Sequence, residues 1–336
     1  MTKVTIREVA AAAGVSVATV SRALRGLPSV SPATRAKVEQ VAEELQYVPD
    51  PYAARLGTVG GQTVLVAVPV PGQWFYAQVV TGVEAMVSER GYDLQLHVVG
   101  DDAQRRHFIE DILPGQRRID GVILVDIPLS EEEATALAGR GVRLVSVGQR
   151  VPGIHSVRID NRRAGREATE QLLGMGHRRI GLLGGMPQGR SELSIPGMRE
   201  IGYRDALVEA GVGVDEALVV NGNFSIDGGD EAARELLALP DPPTAIFALS
   251  DEMAVGAMRA ARELGVVVPG ELCILGFDGH DFAAAVGLST VRQPVVEQGE
   301  AAAEALIAAI EGQPPDDADV VLAHEIVLRD TTRCAT

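Results

Sequence analysis

Short apolar runs alternate with segments of helical periodicity through most of this chain, and this alternation restricts the fold more than any other feature. Each run has the length of a strand. Strands that alternate with helices form parallel sheets with helices on both faces. The predicted strands are 64–70, 94–99, 121–125, 143–147, 156–159, 179–184, 244–248 and 272–277, and the predicted helices are 77–90, 163–175, 202–210, 251–264 and 295–311.

The first residues follow a different pattern, which predicts two short helices joined by a tight turn. Thr5 can cap the first helix, and Glu8 can bond back to it as in a capping box. Gly14 supplies the left-handed residue that ends this helix, and Ser16 caps the second. The apolar positions that face inward are Ile6, Val9, Ala10 and Ala13 on the first helix and Val20, Ala23 and Leu24 on the second.

This pair of helices is typical of a helix-turn-helix motif, whose second helix enters the major groove of DNA. The outer face of that helix carries Val17, Ala18, Ser21 and Arg22. A plain helical hairpin is the alternative interpretation. Ser31, a good cap, and Pro32, suited to a first helical turn, predict a third helix that ends near Tyr47 and closes a small core.

Residues 4–24 strongly resemble the amino-terminal headpiece of the lactose/galactose repressor (LacI/GalR) family, and the similarity continues along the whole chain. The resemblance implies an all-α helix-turn-helix headpiece plus an α/β two-lobed effector domain like the periplasmic binding proteins. The implied domains are a headpiece over 1–49, a hinge helix and linker over 50–61, and an effector-binding and dimerisation domain over 62–336, with one subdomain at about 62–160 plus 291–320 and the other at about 161–290 plus 321–332.

Arg22 is the expected base reader, because a guanidinium can bond guanine O6 and N7 together; a contact to phosphate alone is the alternative. Val17 and Ala18 can pack on thymine methyl groups. Polar side chains of the headpiece are expected to hold phosphates and set the register. The remaining predicted DNA contacts are Thr5, Ser16, Thr19, Ser21, Arg25, Tyr47 and Arg55.

The segment 50–57 predicts a helix of about two turns, which is marginal alone in water. The resemblance implies a hinge helix that forms on the operator, with Leu56 wedged into the minor groove to kink the duplex. A solvent-exposed linker residue is the alternative for Leu56. Asp50 and Pro51 depart from the family pattern, which usually has Asn and often a basic residue there. An acidic residue near phosphates weakens the electrostatic attraction, so we expect the hinge either to dock less tightly or to be tuned differently.

The charge distribution suits DNA contact by the headpiece alone. Residues 1–60 carry seven basic and five acidic side chains, whereas the whole chain has a net charge of −16. The acidic remainder should repel DNA and limit non-specific binding.

Loops at predicted strand ends supply the expected effector contacts, since such folds bind ligands at the carboxyl ends of their strands. Arg199 lies in a family-like motif, with Arg190 as the competing position, and would bond adjacent ligand oxygens. Asp251 either accepts from ligand hydroxyls or only caps a helix. The full set of candidate effector contacts is Gln73, Trp74, Phe75, Tyr76, Asp126, Arg199, Ser250, Asp251, Asp278 and Gln293.

Carboxylates with an arginine and aromatic rings suit a neutral, hydroxyl-rich sugar. A nucleoside or nucleobase that stacks on Trp74 and pairs with Asp278 is the alternative effector. The expected partners are double-stranded operator DNA, a small effector and a second copy of the chain in a homodimer. No cofactor is expected.

Enzyme interpretations find little support, because no dinucleotide-binding, phosphate-binding or nucleophile-elbow motif follows a strand. The six histidines are scattered without metal-ligand spacing, and the two cysteines, Cys273 and Cys334, form no disulfide framework. The amino terminus has no apolar signal core, which predicts a cytoplasmic protein. The rivals are a DNA-architectural protein without effector and a sugar-binding or sugar-processing protein without a regulatory role.

Overall fold

A computed structural model describes residues 4–24, 29–47, 62–115, 118–184, 194–313 and 318–332. The chain divides into two units, Met1–Gly61 and Gln62–Thr336. The predicted hinge helix at 50–57, with Arg55 and Leu56, lies outside the described residues, as do Arg25, Arg190 and Cys334.

The first unit contains helices α1 (Ile6–Ala13), α2 (Val17–Leu24) and α3 (Pro32–Glu44). The expected caps are present. Glu8 accepts a hydrogen bond from the backbone N–H of Thr5 at 2.7 Å, and Ser16 Oγ accepts one from the N–H of Thr19 at 3.1 Å. Gly14 is left-handed, with φ 69°. The buried core of the unit is Val9, Ala10, Ala13, Val20, Ala23, Val30, Val38 and Ala42.

The second unit contains two six-stranded sheets, one for each lobe. The strands are β1 (Thr63–Val68), β2 (Asp93–Val98), β3 (Gly121–Val125), β4 (Leu144–Val147), β5 (His155–Ile159), β6 (Ile180–Gly184), β7 (Val219–Asn221), β8 (Ala245–Ala248), β9 (Cys273–Asp278), β10 (Ser289–Arg292), β11 (Asp319–Leu322) and β12 (Glu325–Val327). The first sheet has the order β11-β5-β4-β3-β1-β2 and is entirely parallel; the second has the order β12-β10-β9-β8-β6-β7, in which only β12 runs antiparallel.

Helices cover both sheets, as the β-α alternation predicts. The helix Asp102–His107 continues as a π-helical segment, Phe108–Ile112, and ends with one more turn at Leu113–Gly115. The helices are α4 (Trp74–Glu89), α5 (Asp102–His107), α6 (Glu131–Gly139), α7 (Asn161–Gly174), α8 (Ile195–Glu209), α9 (Ile226–Leu237), α10 (Asp251–Leu264) and α11 (Val295–Ile310).

The sequence predicts eight of the twelve described strands and omits β7, β10, β11 and β12, which have three or four residues each. Three of these four lie at sheet edges, where half-exposed residues do not form a continuous apolar run. The chain passes from one lobe to the other after β5, β10 and β11. The approximate subdomain boundaries near residues 291 and 321 each fall inside a strand, because β10 belongs to the second sheet and β11 to the first.

Helix α8 begins at Ile195, earlier than the predicted 202, because Ser194 caps it and Pro196 occupies its first turn. It packs very closely against α7. A β-carbon added at Gly202 would lie 2.1 Å from the carbonyl oxygen of Arg162, and one added at Gly165 would lie 2.2 Å from that of Arg199. Glycine at these two positions therefore permits the helix contact that places Arg199.

Candidate functional site

The outward face of α2 presents the side chains expected to meet DNA. Val17, Ala18 and Arg22 are exposed, Thr19 and Ser21 are half-buried, and Val20 and Ala23 are buried. Val17 is 41% exposed, so an apolar side chain forms part of this outward face. An apolar and basic surface of this kind matches the major groove, where thymine methyl groups and guanine acceptors lie side by side.

Three other predicted DNA contacts lie outside α2 in the chain. Thr5 and Ser16 are exposed and Tyr47 is half-buried. Thr5 Oγ1 bonds Glu8 at 2.9 Å, and Ser16 Oγ lies 2.8 Å from Thr19 Oγ1. A hydroxyl has one hydrogen to donate, so Thr5 must release Glu8 before it can bind a phosphate oxygen. The bond between the Ser16 and Thr19 hydroxyls uses only one of their two hydrogens.

A cavity of about 230 Å³ lies between the two lobes. It opens at the carboxyl ends of strands from both sheets, the position at which parallel α/β folds bind ligands. Its lining among the described residues is Val70, Gln73, Phe75, Tyr76, Gly100, Asp126, Ile195, Pro196, Arg199, Asn223, Phe224, Ser250, Glu252 and Asp278.

A buried ion pair forms the floor of the cavity in the second lobe. Arg199 Nη1 lies 3.5 Å from Asp278 Oδ1, with both side chains less than one-tenth exposed. The guanidinium also donates from Nε to Asn161 Oδ1 and from Nη1 to the carbonyl oxygen of Leu249, both at 2.9 Å. Its carbon lies 3.6 Å from the centre of the Phe277 ring. These contacts hold Arg199 in one orientation before any ligand arrives.

Asp278 ends β9 and is fixed from the other side by amides. Gln293 Nε2 donates to Asp278 Oδ1 at 2.7 Å, and Gln298 Nε2 donates to Gln293 Oε1 at 3.2 Å. Burial raises the pKa of Asp278 well above its ordinary value, while the positive charge of Arg199 acts in the opposite direction. Because Gln298 belongs to α11, which packs on the first lobe, this chain of bonds links Asp278 to both lobes.

The first lobe contributes Asp126, which follows β3. Its Oδ2 accepts from the hydroxyl of Tyr76 at 2.9 Å, and its Oδ1 accepts from Gln149 Nε2 at 2.7 Å. Both of these donors are neutral, and together they fix the orientation of the carboxylate. Asp126 therefore faces the cavity as an oriented acceptor.

Strained backbone is concentrated at the cavity. Of the six described non-glycine residues with positive φ, four line it: Asp126 at 51°, Asn223 at 51°, Phe224 at 47° and Asp278 at 111°. Non-glycine residues adopt this region at a cost, and they persist where the surrounding structure requires them, often at ligand sites. These four residues belong to three loops, and all four line the cavity.

Seven predicted effector contacts line the cavity: Gln73, Phe75, Tyr76, Asp126, Arg199, Ser250 and Asp278. The other three, Trp74, Asp251 and Gln293, do not. Gln293 is buried and bonds Asp278 from behind. Asp251 is fully buried, and its Oδ2 accepts from the backbone N–H of His280 at 2.7 Å. Burial raises its pKa to about 7.

Trp74, expected to stack on a ligand, instead contacts the other lobe. Its ring stacks on His280 at 4.8 Å between centroids, and His280 stacks on Phe282 at 3.7 Å. Trp74 Nε1 also lies 3.4 Å from Asp281 Oδ2. Trp74 begins α4 in the first lobe, whereas His280 follows β9 in the second. The stack therefore spans the cleft beside the cavity.

Sequence reasoning missed several lining residues, among them Asn223, Phe224 and Glu252. Asn223 and Phe224 follow β7, which has only three residues and gives no strand pattern in the sequence. The sequence therefore did not show that these two residues lie at a strand end. The aromatic Phe224 before the helix cap Ser225 was the available signal. Glu252 adjoins two predicted residues, and only the direction of the first turn of α10 brings it to the cavity.

No group of three or more His, Cys, Asp or Glu side chains is arranged to hold a metal ion in the described ranges. Over the same ranges, no helix combines the length and the apolar character needed to span a membrane. Cys273 is buried, and its Sγ lies 3.9 Å from the carbonyl oxygen of Pro269. His177, whose Nδ1 lies 2.9 Å from Thr244 Oγ1, is a buried structural residue.

A helix-turn-helix unit followed by a two-lobed α/β unit with an interlobe cavity defines a class of ligand-responsive DNA-binding regulators. Residues 5–50 match the model of bacterial regulatory proteins of the lacI family, and residues 169–332 match that of a periplasmic binding protein-like domain. The chain belongs to the lacI family of bacterial regulatory proteins.

Proteins similar over their full length agree with this membership. The HTH-type transcriptional repressor CytR of Escherichia coli (strain K12) is 35% identical, with 99% of this chain and 97% of that protein covered. A solved complex of the transcriptional regulator CelR with cellobiose has 34% identity and a TM-score of 0.71, covering 98% of this chain and 100% of CelR. The lac repressor dimer bound to operator and the anti-inducer ONPF has 26% identity and a TM-score of 0.82, covering 99% and 100%.

Proposed function

We propose that this protein is a transcriptional repressor that binds a palindromic operator as a homodimer and responds to a sugar bound between its lobes. The observation that carries the proposal is the cavity. Fixed carboxylates, one buried arginine and three aromatic side chains, Phe75, Tyr76 and Phe224, surround a space at the strand ends. Carboxylates accept from hydroxyls, arginine donates, and an aromatic ring covers the apolar face of a sugar.

The effector contacts of this proposal are the seven predicted lining residues, supplemented by Asn223 and Phe224. The complex of the relative CelR with cellobiose supports the assignment of a sugar. A nucleoside is the second candidate, because aromatic side chains and carboxylates in one cavity also suit a stacked base with amino groups.

On the DNA side, the headpiece of residues 1–49 would enter the major groove through α2, with Arg22 reading a base. The segment 50–61 would act as hinge and linker, and residues 62–336 would form the effector and dimer domain. The relative whose structure contains an operator is a dimer, and two headpieces related by a two-fold axis match a palindrome. The protein would act in the cytoplasm and catalyse no reaction.

The proposed coupling is a change in lobe closure. An effector that binds the closed lobes more tightly than the open lobes shifts the protein towards closure, and only this difference in affinity can drive the change. Closure would alter the spacing of the two hinge segments in the dimer. The operator would then be held more or less tightly.

Two measurements test the function. Selection from randomised palindromes followed by a gel-shift assay should yield one preferred operator, and failure to obtain a sequence-specific complex at any salt concentration would refute the repressor. A thermal-shift panel of sugars and nucleosides should contain a compound that raises the melting temperature, because a ligand of the native state stabilises it. Preference for nucleosides would replace the sugar by the second candidate. Chemical turnover of the bound compound would contradict the absence of catalysis.

A further inference from the structure

Glu252 is the lining carboxylate whose role is unassigned. It is the second residue of α10, it is half-buried, and it lines the cavity beside Ser250 and Asp278. Burial raises the pKa of Asp278 and Asp251, and the negative charge of Glu252 adds to this rise. At His280, burial lowers the pKa, and the charge of Glu252 opposes that change. Glu252 therefore lies close to all three, at the second-lobe wall of the cavity.

The other charged groups at the cavity already have partners. The charge of Arg199 is opposed by Asp278 and its N–H groups are engaged by Asn161 and Leu249. Asp126 accepts from two neutral donors. Within the described part of the chain, Glu252 has neither a hydrogen-bond donor nor a basic side chain bound to its carboxylate.

The described lining consequently has an excess of negative charge. Among the described lining residues, Arg199 is the one cation, and the carboxylates are Asp126, Glu252 and Asp278. A phosphate or carboxylate on a ligand would be placed in a poorly solvated cleft near like charges, which raises its energy strongly. A hydroxyl or an ammonium group would instead donate to the unused acceptor.

We infer that Glu252 is a specificity-determining residue that restricts the effector to uncharged or amino-bearing polyols and excludes phosphorylated and acidic ones. This inference rests on the proposed effector function of the same cavity, and it adds the charge class of the ligand. Glu252 accepts a hydroxyl or ammonium hydrogen from the effector. The same carboxylate repels an anionic group on an otherwise identical molecule.

The test uses the full-length protein and sets of compounds that share one ring but differ in charge. For glucose, galactose, mannose, cellobiose and adenosine, the neutral compound is compared with its phosphate ester, with its acid where one exists, and, for the hexoses, with its amino sugar. Thermal shift identifies the ring that binds, and calorimetry then gives the Kd of each member. The expected result is that the neutral or amino compound binds and its anionic counterpart binds on the order of 100-fold more weakly.

Glu252→Gln keeps the size and an acceptor oxygen of the side chain but removes the charge. It should reduce the discrimination against the anionic compound by on the order of 10-fold or more. The matched control is Glu235→Gln, which removes the same charge from an exposed position on α9 in the same lobe. This control should leave the ratio of the two Kd values unchanged.

The possible results distinguish failure of the role of Glu252 from failure of the proposed regulator function. Tightest binding of an anionic compound by the unmodified protein, or an unchanged ratio in Glu252→Gln, overturns the role of Glu252 while leaving a ligand-responsive regulator intact. An equal change in Glu235→Gln also overturns it, because the effect would then be one of net charge. Absence of binding by every compound refutes the proposed effector class and this inference together.

Discussion

Arg22 is the one basic residue of α2. It is exposed, as is Ala18 one turn earlier, and it follows the half-buried Ser21. A guanidinium can bond two acceptors of one guanine, whereas a phosphate contact carries no information about sequence. The position of Arg22 beside an apolar surface favours a role inside the groove. Substitution of Arg22 can therefore distinguish a contact to a base from a contact to a phosphate.

We expect Arg22→Ala to lose about 1–3 kcal/mol of binding to the preferred operator, and the preference at one base position should disappear. Gel-shift titrations against operators altered at each position measure both effects. Arg7→Ala, an exposed change on α1, should leave the base preference intact. A uniform loss on all sequences in Arg22→Ala would show that Arg22 contacts only phosphate.

Asp251 illustrates how burial changes the behaviour of one carboxyl. Its pKa rises from an ordinary value of 3.8 to about 7, because burial outweighs the hydrogen bonds that it accepts. Its Oδ1 has no partner among the described residues. Between these two pKa values the folded protein holds a proton that the unfolded chain releases, so the free energy of unfolding falls as pH rises through this window and levels off above it.

Asp251→Asn should remove this dependence, because asparagine does not titrate. We expect the difference in melting temperature between the variant and the unmodified protein to shift in favour of the variant from pH 5 to pH 8. Thermal unfolding at several pH values gives this difference, and Glu235→Gln is the control for a change in net charge. A pH profile identical to that of the unmodified protein would contradict the raised pKa of Asp251.

The contact between α4 and the loop after β9 shows how two elements from different lobes meet. Trp74 begins α4 and stacks on His280, which in turn stacks on Phe282. The contact between Trp74 and His280 requires the two lobes to be close. The buried carboxylate of Asp251 holds the backbone of His280. The loop is therefore anchored in the second lobe, and the ring of His280 contacts Trp74 of the first lobe.

His280→Ala should remove the stack and favour the open lobes. An aromatic pair contributes about 0.5–1.5 kcal/mol, so effector affinity should fall roughly 2- to 10-fold. Trp74 is the only tryptophan in the chain, and its emission should move to longer wavelengths with stronger acrylamide quenching. His107→Ala, at an exposed position on α5, should change neither property. Unaltered emission in His280→Ala would argue against the interlobe stack.

The elements show why the fold was more predictable than the cavity. Strands such as β3 and β8 are continuous apolar runs, and local pattern alone identifies them. Edge strands such as β7 and β11 are short and half-exposed, so their pattern is weak. The loop after β7 carries Asn223 and Phe224, and missing the strand meant missing two cavity residues.

The whole molecule joins a DNA-reading unit to a ligand-binding unit, and its proposed function depends on coupling between them. Asp278 is a suitable probe of this coupling, because it lies at the cavity and belongs to a different unit from the headpiece. By thermodynamic linkage, the factor by which effector changes operator affinity equals the factor by which operator changes effector affinity.

We therefore expect Asp278→Asn to retain operator binding and to lose the response to effector. Loss of a hydrogen bond to a charged group weakens effector binding by about 1.5–3 kcal/mol, roughly 10- to 150-fold. Gel shifts with and without effector, together with calorimetry, measure both. Asp227→Asn, an exposed change on α9, should behave as the unmodified protein. A preserved effector response in Asp278→Asn would remove Asp278 from the site.

Local sequence alone determined the helix-turn-helix unit, most of the strands and the positions of Asp126 and Asp278 at strand ends, because caps, turns and periodicity act over a few residues. Arg199 was selected by the resemblance to a motif of the family. Tertiary structure decided which of these side chains share a cavity. Trp74 was a good ligand candidate by composition, but the direction of the first turn of α4 carries its ring to His280. Glu252 drew no attention in the sequence, and the convergence of strand ends from two sheets brings it to the cavity wall. Such convergence depends on how distant segments pack, which neighbouring residues in the chain do not encode.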